Sequence, residues 1–144
     1  MWFAYAIAAS AVWGLEYALL ERLFQDRLTP LFLLTLQMAA GTMICGVTMV
    51  LSGELDENLV LLRGDRASWS LMAISVSAFV AGNYLIAISI ESGSAVTAGL
   101  VEISYPLFIA LFSIALLGTG HLTLGTALGG ALILAGAFTL KLSH

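Results

Sequence analysis

Four strongly polar side chains interrupt long apolar runs in this sequence: Glu16, Gln37, Asn83 and Glu102. A carboxylate in hydrocarbon costs about 2.5–3.5 kcal/mol on insertion scales, so such residues face protein or a water-filled cavity. Burial favours the neutral form of a carboxyl. Glu16 and Glu102 therefore suit one of two tasks: exchanging a proton with a substrate, or acting as permanently protonated hydrogen-bond donors. Asn83 and Gln37 can serve as interhelical hydrogen-bond partners or as substrate contacts. Trp13, Tyr17, Tyr84 and Tyr105 stand close to these groups in the sequence. Their rings can stack on a flat or cationic substrate, or can simply pack and anchor the chain at the interface.

The stretch that most needs a positioning element is Ser94 to Leu117, SAVTAGLVEISYPLFIALFSIALL. Roughly 20 residues at about 1.5 Å each cross the hydrocarbon, so this stretch is long enough to span. Ala95, Gly99, Glu102, Pro106, Ala110 and Ser113 recur at helical spacing and share one small, polar stripe. Leu100, Ile103, Leu107, Leu111 and Ile114 take the other sides. Pro106 frees a carbonyl one turn earlier, near Glu102, which suits the wall of a cavity.

Composition sets the solvent. The 144 residues are 60% hydrophobic and 10% charged, with mean hydropathy +1.03. So little polar surface implies an integral membrane protein. The net charge of −4 arises from loop residues, and no basic patch for nucleic acid is present. The lone Cys45 lies in an apolar run and reads as a small packing residue. His121 and His144 have no partners at metal-ligand spacing, and no nucleophile, phosphate-loop or metal motif is visible. The expectation is therefore no enzyme, no cofactor and no metal.

Five apolar runs predict an all-α integral membrane fold: one domain over 1–144, with five transmembrane helices at about 2–24, 30–51, 69–90, 94–117 and 122–141. AIAASA looks superficially like a cleavage site, but no positive segment precedes it, so the first run is read as a retained helix. Pro30 opens the second helix and Trp69 the third. The long loop from Ser52 to Ser68 holds a short apolar LVLL that could lie at the interface. With five spans the termini fall on opposite faces. Each of the four polar residues then sits about 5–7 Å from the midplane on one common side, forming one layer. Arg63 and Arg66 fall on one face; Arg22, Arg27 and Lys141 fall on the other. Two against three is a weak instruction for orientation.

The run from Pro106 through LLGTGHLTLGTALGGALILAGAF resembles the closing hairpin of an EamA-type unit of the drug/metabolite transporter superfamily. The N-terminal AVWG, ahead of a polar position in the first helix, fits the same family. The resemblance covers the whole chain as one five-helix unit, where most members look like two units related as inverted repeats. A glutamate expected after Leu117-Gly118 is replaced by Thr119, so no role is carried to that position. The chain is also similar in logic to the small multidrug resistance proteins, which pair antiparallel. Gly129 to Gly136 fits their glycine-x-x-Leu-Ile-x-x-glycine dimerising pattern, and Glu16 stands where their coupling glutamate does. The Gly125 and Gly129 spacing permits close helix approach, together with Gly130 and Gly136, either within one chain or between two.

The resemblance implies a secondary transporter, an exporter of a small metabolite or drug-like molecule, coupled to protons. It implies a bacterial inner-membrane location and an antiparallel homodimer, or a heterodimer with an inverted partner. The alternatives are a non-transporting accessory subunit, or a subunit of a lipid or lipid-linked sugar flippase that pairs with another chain.

Overall fold

The computed structural model describes residues 1–62, 66–118 and 123–142. Thr119, His121 and His144 lie outside them, as do Arg63 and the first residue expected of the last helix, Leu122. The described residues form helices and short turns, with no strand among them. The helices are α1 (Trp2–Gln25), α2 (Pro30–Ser52), α3 (Glu54–Leu62), α4 (Arg66–Ser92), α5 (Ala95–Glu102), α6 (Tyr105–Leu117) and α7 (Leu124–Leu142). The chain divides into two compact units, Met1–Arg22 with Ser92–His144 and Leu23–Glu91.

Four helical segments are long and apolar enough to cross a membrane: Phe3–Gln25, Pro30–Ser52, Arg66–Ser92 and Ala95–Leu116. A shorter apolar stretch, Ala127–Thr139, lies within α7. Large apolar side chains stand exposed along these helices, among them Phe3, Leu31, Met43, Ile74, Phe79 and Phe112. Lipid is the solvent in which such surfaces are stable, and helices satisfy their own backbone groups there. The protein is an integral membrane protein with at least these four candidate spans.

In the Leu23–Glu91 unit, local sequence dictates the helix ends. The α1 terminus is closed by Arg27 N–H donating to the Phe24 carbonyl and Leu28 N–H to that of Leu23. This pattern needs a left-handed residue, and Arg27 adopts it with φ 66° in place of the usual glycine. Thr29 then caps α2, its hydroxyl accepting from Phe32 N–H at 3.4 Å, and Pro30 opens the helix. Pro30, Leu33 and Leu34 are buried near this end, and in α4 Ala87 and Ile90 are buried.

Two sequence expectations change. The loop from Ser52 to Ser68 contains a nine-residue helix, α3, and α4 begins at Arg66 rather than Trp69. Glu54, Asp56 and Glu57 occupy the first turn of α3, where acids complement the helix dipole and support helix over loop. The stretch 94–117 is not one continuous helix: it breaks at Ile103 and Ser104 into α5 and α6. Ile103 N–H still donates to Gly99, but Ser104 N–H turns to Val101 and Leu107 N–H to Ser104. Pro106 cannot donate, so the Glu102 carbonyl loses the bond that would have carried the helix through.

Within the unit formed by residues 1–22 and 92–144, α5 packs against α7. Gly130 of α7 is buried directly against the Leu107 side chain of α6. Gly129 is half-buried, whereas Gly125 and Gly136 are exposed. Gly118 ends α6 in the left-handed conformation at φ 65°, its N–H donating to Ile114.

Candidate functional site

One face of α1 carries Ser10, Trp13, Tyr17 and Glu21, spaced three or four residues apart so that they line up along the helix, with Gly14 beside Trp13. The facing stripe on α5 begins with Ala95 and Gly99 and ends at Glu102, as its spacing predicts. Gly99 faces the Tyr17 ring: a Cβ there would lie 3.5 Å from it, in ordinary van der Waals contact. Tyr17 is only 7% exposed, and Ala95 and Ala98 are buried with it.

Two hydrogen bonds hold this contact. The Tyr17 hydroxyl donates to Glu102 Oε2 at 2.5 Å. One turn further along α1, Glu21 Oε2 accepts from the Ala95 backbone N–H at 2.8 Å. That N–H belongs to the first turn of α5, so Glu21 supplies negative charge at the positive end of the helix. Ser94 caps the same end, its hydroxyl accepting from Thr97 N–H at 3.2 Å. Glu102 is half-buried at the last residue of α5, next to the break.

Between the two helices lies a cavity of about 860 Å³. Trp13, Tyr17, Glu21, Glu102 and Tyr105 supply its distinctive side chains, on an otherwise small and apolar wall. The Trp13 and Tyr17 rings are 6.2 Å apart between centroids and tilted by 48°. No Lys, Arg or His lines the cavity among the described residues. Chemically it offers carboxylate acceptors and aromatic faces in an apolar surround, suited to binding a small molecule.

The structure thus brings Trp13, Tyr17, Glu102 and Tyr105 to one cavity. Glu16 does not line it. This side chain is half-buried on α1, about 100° round the helix from Tyr17. Gln37, Asn83 and Tyr84 belong to the other unit. Asn83 is half-buried, with its Nδ2 donating to the Phe79 carbonyl at 2.8 Å, while Gln37 and Tyr84 are exposed. Pro106 sits at the start of α6 beside the break. No cluster of three or more His, Cys, Asp or Glu able to hold a metal is found among the described residues.

Glu21 is the residue that sequence reasoning missed. It opens the charged segment ERLFQDRLTP, where the first expected helix frays into a turn. The signal that could have found it is its place four residues after Tyr17 and eight after Trp13, in register with the face that α5 covers.

No curated protein and no solved structure matches the chain. The model of the EamA-like transporter family matches residues 1–142. The match covers nearly every residue, on helices apolar enough to cross a bilayer: the chain belongs to the EamA-like transporter family.

Proposed function

We propose that the protein is a proton-coupled secondary transporter that exports a small metabolite or drug-like molecule. Its binding site is the cavity between α1 and α5. The observation that carries this reading is the Glu102 carboxylate, held by the Tyr17 hydroxyl inside that cavity. An acid within a membrane span is costly unless it is paired or faces a cavity, and one lining a cavity can meet both a proton and a substrate. Glu102 binds protons and substrate in competition, so entry of one drives exit of the other, and Glu16, on α1 outside the cavity lining, is a second proton carrier.

Alternating access in secondary transporters runs around a midplane site built on broken helices. The break between α5 and α6, immediately after Glu102, is the joint such a motion needs. The remaining wall comes from a second five-helix unit inserted the opposite way up, with the exposed Gly136 face of α7 available for close contact between units. The split of positive charges, two against three, favours insertion in both orientations. A bacterial inner-membrane location belongs to the same reading.

The test is a screen of small molecules with the purified protein in sealed liposomes containing a pH-sensitive dye. A transporter gives compound-dependent proton movement above that of empty liposomes. An accessory subunit gives none with any compound.

A further inference from the structure

α5 is held to α1 at both of its ends, and the two ends are held differently. At its first residue, the Ala95 N–H donates to Glu21 Oε2 at 2.8 Å. Ala95 directly follows the Ser94 cap, so this N–H has no acceptor within its own helix. Local bonds tighten the same end. The Ser94 and Thr97 hydroxyls stand 2.8 Å apart, and Ala98 N–H donates to the Ser94 carbonyl at 3.0 Å. Ala95 and Ala98 are buried there. At the last residue the hold is the Tyr17 hydroxyl, which donates to Glu102. Glu102 is only half-buried, Ile103 beyond it is exposed, and Ser104 makes no side-chain cap to α6. The helix is thus fixed firmly where it starts and lightly where it breaks.

We infer that Glu21 is a positioning residue for Glu102: it pins the first residue of α5 to α1 as a fulcrum, and α5 swings about that pin as a lever that carries Glu102 to and from Tyr17. Seven residue steps of about 1.5 Å separate Ala95 from Glu102, so a tilt of about 20° moves the carboxylate end by about 3–4 Å and the pin hardly at all. Such a shift is enough to part the Tyr17–Glu102 bond. The role rests on the transport reading, in which Glu102 changes partners, but its test needs neither a substrate nor a gradient.

Two spin-label pairs in a Cys45→Ala background read the two ends. The pin pair is Leu19→Cys with Val96→Cys, and the far pair is Val12→Cys with Val101→Cys; these native side chains are exposed. Distances are measured by pulsed electron resonance on the full chain in lipid nanodiscs. Labelled chain is diluted with unlabelled chain, so that pairs within one chain dominate. Tyr17→Phe, which frees Glu102, is expected to spread the far-pair distances by about 3–4 Å and to leave the pin pair narrow. Ala95→Pro removes the pinned N–H and keeps the helix: proline suits the first helical position, and Ser94 before it is already extended at φ −148° and ψ 156°. It is expected to broaden both pairs, as is Glu21→Ala. Glu21→Gln, whose amide oxygen still accepts from the N–H, is expected to keep the pin pair narrow.

Thermal melting of each variant separates a loosened helix from a lost fold; where Glu21→Ala melts early, Ala95→Pro and Glu21→Gln decide the question. Tyr17→Phe broadening both pairs alike, or neither, overturns the inference. So does a far pair left narrow by Ala95→Pro, or a pin pair as broad in Glu21→Gln as in Glu21→Ala. A pinned and swinging α5 in a protein that moves protons with no compound leaves the inference standing and overturns transport. Compound-dependent proton movement, with both pairs broadened alike by Tyr17→Phe, does the reverse.

Discussion

Tyr17 and Glu102, 85 positions apart in the chain, share a hydrogen bond between α1 and the last residue of α5. The same Tyr17 ring packs over Gly99, so one side chain closes the helix contact and also occupies the carboxylate. Tyr17→Phe keeps the ring and removes the bond. Hydrogen bonds between membrane helices contribute about 0.6–1.7 kcal/mol, and a loss in that range is expected in reversible unfolding from mixed micelles. Tyr17→Ala also removes the packing and is expected to cost clearly more. A Tyr17→Phe variant as stable as the wild type would mean that the hydroxyl contributes nothing, and equal losses for the two variants would mean the same of the ring.

The break between α5 and α6 is where motion is expected. Pro106→Ala restores a donor for the Glu102 carbonyl and allows the helix to run through Ile103 and Ser104. The variant is expected to fold at least as stably, to gain hydrogen-exchange protection around residues 103–107, and to turn over more slowly. Greater protection with undiminished turnover would show that the break is not the joint.

Two glycines of α7 separate packing within the chain from other uses of the helix. A Cβ at Gly130 collides with the Leu107 side chain, so Gly130→Ala is expected to cost about 1–3 kcal/mol. Leu107→Ala in the same chain should recover part of that loss. Gly136 has nothing within 4 Å of a Cβ, and Gly136→Ala should be neutral or gain up to about 1 kcal/mol in the isolated unit. Thermal unfolding of the three variants checks the ranking.

Much of this arrangement is legible in the chain itself. Apolar length marks α1, α2 and α4, and Pro30 marks where α2 starts. The spacing of Ala95, Gly99 and Glu102 marks the face that meets α1. What escapes is set by the competition of local groups. Pro106 signals a freed carbonyl, but whether the helix kinks or parts into α5 and α6 depends on how Ser104 and Leu107 rebond. The acids of Glu54 to Glu57 read as loop because they are polar, yet in a first helical turn they favour helix. Glu21 reads as an acid at the charged end of the first helix because its partner, the N–H of Ala95, is a backbone group 74 positions away and leaves no trace in residue type.

Pairing of oppositely inserted units has a direct test. A topology reporter fused to the C-terminus should give signal from both faces of the membrane when the protein is expressed alone. Signal from one face only would exclude the antiparallel homodimer and leave a partner chain or a parallel pair.

The most direct test is proton-driven flux in sealed liposomes, comparing the wild-type chain with Glu102→Gln and Glu16→Gln. Glutamine keeps the shape and an acceptor for the Tyr17 hydroxyl but cannot titrate. With a compound that moves protons in the wild type, Glu102→Gln is expected to abolish accumulation against a gradient while leaving the melting temperature within a few degrees. Accumulation at wild-type rate by both variants would contradict proton coupling at these carboxylates.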